Sequence, residues 1–82
     1  MSDNADQVKE ALELLQSALK ELSREEMEVV RSLQKEVDDA VKAGTVSNAK
    51  LEFCYTIKFS QDRISNAKLL EACEAYIKAA EN

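Results

Sequence analysis

The chain has 82 residues, 45% hydrophobic and 33% charged, with a net charge of −5, one Gly, no Pro, no His and two Cys. That length suits one compact domain, which buries only about two thirds of its unfolded surface. The missing His removes Ser-His and Cys-His nucleophile pairs, imidazole acid/base chemistry and His-bound zinc, while the acidic balance argues against nucleic acid and anionic membranes.

Gly and Pro at about 7% and 5% would give roughly six and four residues in such a chain. With one Gly and no Pro, turns must be few and short, and a few long helices with tight connections are expected. The same deficit is common in engineered helical proteins. A single Gly also excludes glycine-rich phosphate loops and the dinucleotide fingerprint. Cofactors are therefore expected to be none, and metal ligands likewise. No apolar run approaches the roughly 20 residues needed to cross a bilayer. The opening MSDNADQVKE is polar and acidic and lacks the regions of a secretory signal, so a cytoplasmic location is expected.

The first element is an amphipathic helix over about 5–22, with Val8, Ala11, Leu12, Leu15, Ala18, Leu19 and Leu22 recurring at three- and four-residue steps. The next stripe, Val30, Leu33, Val37, Ala40 and Val41 with Val29 in support, marks a helix over about 24–43. Lys42 suits its negative end and Gly44 can take the left-handed stop position. Between them lies SREE, in which Ser23 and Glu26 have the spacing of a capping box and favour a break. At about 100° per residue the two stripes share one azimuth, so a continuous helix of almost 40 residues is the rival reading. The acids Glu36, Asp38 and Asp39 lack the spacing and Gly of a calcium loop and read as a solvated face.

LEFCYTIKFS poses the main ambiguity, because Leu51, Phe53, Tyr55, Ile57 and Phe59 alternate with the period of a strand. VSNAKL at Val46 to Leu51 and its echo ISNAKL at Ile64 to Leu69 favour helix. With Ser47 and Ser65 as N-caps, Val46 with Leu51 and Ile64 with Leu69 become hydrophobic staples. A helix is then expected over about 48–61, apolar around most of its circumference, and so the central element of the fold. A strand here would lack a partner in the chain and recruit another molecule. The last helix, about 66–80, carries Leu69, Leu70, Cys73, Tyr76, Ile77 and Ala80 at helical spacing and should fold back antiparallel on its predecessor. Phe53, Ile57, Leu15, Leu33 and Leu70 are expected at the centre of the core. Cys54 and Cys73 each read as a small buried apolar side chain rather than a redox or disulfide partner.

The expected fold is therefore all-α, a small antiparallel bundle of four helices in a single domain, 1–82. Within it, residues 43–71 resemble the first tetratricopeptide-like hairpin of the mitochondrial fission adaptor family. The likeness lies in AGTVS at Ala43 to Ser47, LEFCY at Leu51 to Tyr55, and the D-x-I start at Asp62 followed by LLE at Leu69 to Glu71. It implies a protein interaction domain, in which the N-terminal helices stand in for the neighbouring repeat.

Two functional readings follow. One is a non-catalytic structural protein in the style of an engineered bundle assembled from natural-looking pieces, with no natural ligand and no required partner. The other is a small interaction module binding a partner helix or peptide in a groove between helices. Tyr55, Phe59, Tyr76 and Met27 are its candidate partner-binding residues, and a contiguous open patch of these four would favour it. A homodimer is a further option. An enzyme ranks last, because no spacing sets a nucleophile beside a base.

Overall fold

A computed structural model describes residues 3–81. It contains four helices, α1 (Asp3–Lys20), α2 (Arg24–Lys42), α3 (Ala49–Phe59) and α4 (Ala67–Ala80). Successive helices run antiparallel, and their bounds fall within two residues of those read from the periodicity.

The break between α1 and α2 is the capping box. The Glu26 amide donates to Ser23 Oγ at 3.1 Å and the Ser23 amide donates to Glu26 Oε1 at 2.9 Å, so two amides that a helix start would leave unpaired are satisfied reciprocally. The continuous-helix alternative is absent. At the other end of α2, Gly44 takes φ +78°. Its amide donates to the Val41 carbonyl and the Thr45 amide to the Ala40 carbonyl, at 3.0 and 3.1 Å. That pair of bonds is a Schellman motif, which needs a residue tolerant of positive φ where Gly44 stands.

LEFCYTIKFS is helical, but its cap is not Ser47. Asn48 caps α3 and Asn66 caps α4, their Oδ1 atoms accepting from the Leu51 and Leu69 amides at 3.1 and 3.0 Å. Asn is as good a cap as Ser, and the dipeptide SN offers two starts one residue apart. Taking the later one places Val46 and Ile64 two positions before their caps and Leu51 and Leu69 at the third helical position, so the staples at the expected register do not form.

One cluster of buried side chains draws on all four helices: Ala11, Leu15 and Ala18 from α1, Val30, Leu33 and Val37 from α2, Phe53, Cys54 and Ile57 from α3, and Leu69, Cys73, Tyr76 and Ile77 from α4, with Ile64 contributed by the connection. Leu69 rather than Leu70 sits at the centre, Leu70 being only partly buried. The two lie about 100° apart on α4, and the packing of α1 and α3 against α4 buries the first. Nor is α3 alone at the centre. The principal packing runs α1 to α4, α4 to α3 and α3 to α2, so α3 and α4 form the inner pair and the outward face of α3 stays partly open. Although a three-residue turn joins them, α1 and α2 share no extended packing.

Candidate functional site

The four residues picked out as partner-binding do not assemble. Tyr76 is 6% exposed, inside the cluster on α4. Phe59, at the C-terminal end of α3, is 79% exposed. Tyr55, one turn earlier, is half-buried and stacks on Phe59 with ring centroids 6.1 Å apart and planes 13° from parallel, as the i, i+4 spacing allows. The Tyr55 hydroxyl donates to Glu81 Oε2, just beyond the end of α4. That bond holds the neutral phenol and, with the added charge of the nearby carboxylate, keeps Tyr55 above the ordinary tyrosine range. Tyr55 is thus engaged within the molecule, and Phe59 is the single large side chain of the four that is open to solvent.

Met27 lies elsewhere. It joins Leu19, Leu22, Lys20, Arg24 and Arg31 around a 470 Å³ depression where α1 and α2 diverge. Met27, Leu19 and Leu22 are partly buried and packed against the core, while the three cations stand exposed around them. Glu26 faces α4 from the same first turn of α2, accepting from Asn66 Nδ2 at 3.3 Å. The Ser23 amide and then this contact favour its ionised form and lower its carboxyl below the ordinary range. An ion pair between Lys68 and Glu21 at 2.8 Å ties the end of α1 to the start of α4.

A second depression, of 270 Å³, opens between α1 and α4 along Ala11, Leu14, Ala75 and Ala79, with Glu10 and Lys78 beside it. Leu14 is 54% exposed. It stands off the main stripe of α1, and that isolation is the signal in the sequence that marks it as an apolar side chain outside the core. The depression of the α1–α2 fork had no such signal, because Leu19 and Leu22 lie on the stripe of α1 while Met27 falls outside the stripe of α2, and they come together only where the chain turns at Ser23.

Among the described residues no three His, Cys, Asp or Glu side chains converge as a bound metal requires, and no helix is long and apolar enough to cross a membrane. No known protein family, characterised protein or solved structure matches the chain.

Proposed function

We propose that the chain is a non-catalytic structural protein, a helical scaffold of the kind an engineered bundle represents. The observation that carries this reading is how its large apolar side chains are used. Tyr76, Phe53, Ile57, Leu33 and Leu69 are committed to one internal cluster, Tyr55 is bonded to Glu81, and the four candidate contact residues lie in three separate surroundings. A scaffold needs its apolar side chains for self-packing, whereas a recognition groove leaves several of them together and open. The test is thermal unfolding followed by circular dichroism across a hundredfold range of protein concentration, with light scattering on the same samples. A scaffold complete in one chain keeps one midpoint and a monomer mass throughout. A midpoint that climbs with concentration would mean that the folded state requires a second copy and would refute it.

One observation favours the interaction module as a second reading. Phe59 places an almost fully exposed ring, backed by Tyr55, on the open face of α3, and exposed aromatics anchor many interfaces. Selection of displayed helical peptides against the wild-type chain and Phe59→Asp tests it. Peptides that bind the wild type and lose affinity for the variant support the module, and peptides that do not distinguish the two exclude this face.

A further inference from the structure

The two thiols lie opposite each other across the inner helix pair. Cys54 is five residues before the end of α3 and Cys73 six residues after the start of α4. At 1.5 Å per residue this puts them about 7.5 and 9 Å from the same turn-around, and in an antiparallel hairpin equal heights bring side chains face to face. Both are free and both have 0% exposure. Both belong to the same buried cluster, on two helices packed against each other. Interaction between the two thiols, and burial, push the Cys73 thiol well above its ordinary range, so the first proton to leave the pair comes from Cys54.

We propose that Cys54 and Cys73 are a latent disulfide site, closed by a low-molecular-weight disulfide oxidant to staple α3 to α4 within one chain. The Cys54 thiolate attacks one sulfur of the reagent, forming a mixed disulfide and releasing one reagent thiolate. Cys73 then gives its proton to solvent and attacks the Cys54 sulfur, expelling the second reagent thiolate, and the two released thiolates take up the two protons. Two protein thiols are oxidised by two electrons and one reagent disulfide is reduced to two thiols. Full burial keeps the reaction slow until the hairpin opens locally, so the thiols survive in the folded protein unless the oxidant persists. Closure links residues 19 positions apart, a loop long enough to remove substantial entropy from the unfolded chain.

The test exposes the full chain to excess oxidised glutathione, with and without urea well below the unfolding midpoint, and follows intact mass, peptide mapping and thermal unfolding. The expected product is a monomer lighter by two hydrogen atoms, with the Cys54 and Cys73 peptides linked, formed faster in urea. Its Tm should rise by roughly 10 °C or more and return to the starting value with reductant. Cys54→Ser and Cys73→Ser should each stop at one glutathione adduct, and the wild-type map remains decisive if either variant fails to fold. Persistent double adducts, a covalent dimer, thiols still unreacted after an unfolding and refolding cycle in the oxidant, or a disulfide that lowers Tm would each overturn the proposal.

Discussion

Phe53 and Phe59 share one residue type and one helix but have opposite surroundings, at 4% and 79% exposure, which makes them a matched pair for measuring what the core contributes. They are six positions apart, about 240° around the helix axis, so a helix half-enclosed by its neighbours can bury one and leave the other in water. Truncating a buried Phe to Ala removes its transfer free energy and leaves a cavity, at about 3–5 kcal/mol. A domain of 82 residues holds roughly 4–12 kcal/mol in total. Phe53→Ala should therefore remove about a quarter or more of the stability. With a urea dependence of roughly 1 kcal/mol per molar for so small a protein, the midpoint should fall by about 3 M or more, or the variant should be partly unfolded in buffer. Phe59→Ala should stay within about 0.5 kcal/mol of wild type, as surface changes usually do. Urea unfolding followed by far-ultraviolet circular dichroism measures both. Equal losses, or a Phe53→Ala loss below about 1 kcal/mol, would refute the arrangement in which α4 and α2 flank α3 and its remaining face is open.

Other predictions test the local devices. Gly44→Ala should cost about 1–2 kcal/mol from positive φ alone, because an added Cβ meets nothing within 4 Å; Gly44→Asn should cost less, and denaturant midpoints of the two variants check the order. Ser23→Ala removes the oxygen that accepts from the Glu26 amide and should cost about 1 kcal/mol, with faster hydrogen exchange at the first turn of α2. Because hydrogen bonds hold folded Glu26 below its ordinary pKa, the unfolded chain binds more protons in the window beneath about pH 4.3, and stability there rises with pH. The contribution is full above that value and is lost as pH falls through the folded pKa, so Glu26→Gln should flatten the acid limb of a stability-against-pH curve. Ultraviolet titration should find the Tyr55 phenolate forming above the usual value of about 10, and Glu81→Gln should bring it down, since Glu81 accepts the hydroxyl proton and supplies the nearby charge.

The devices that reach no further than five residues were legible in the sequence. The Ser23–Glu26 box, the Gly44 stop and the apolar stripes of α1 and α2 are written in spacings along one stretch of chain, and helix geometry converts those spacings into bonds and faces with no help from elsewhere. The near miss at Ser47 and Ser65 shows the edge of that code. Two good caps stand side by side at 47–48 and 65–66, and their local spacing left both registers open.

What only the tertiary structure decided is which apolar face meets which neighbour. Leu69 over Leu70, Tyr76 inside and Phe59 outside, the fork that collects Met27 with Leu19 and Leu22, and the facing of Cys54 with Cys73 depend on which helices pack together, α1 with α4, α4 with α3 and α3 with α2. Periodicity reports that a side chain would gain by leaving water. It carries no information on whether another helix, distant in the chain, arrives to cover it, because burial is set by shape and area summed over the whole assembly.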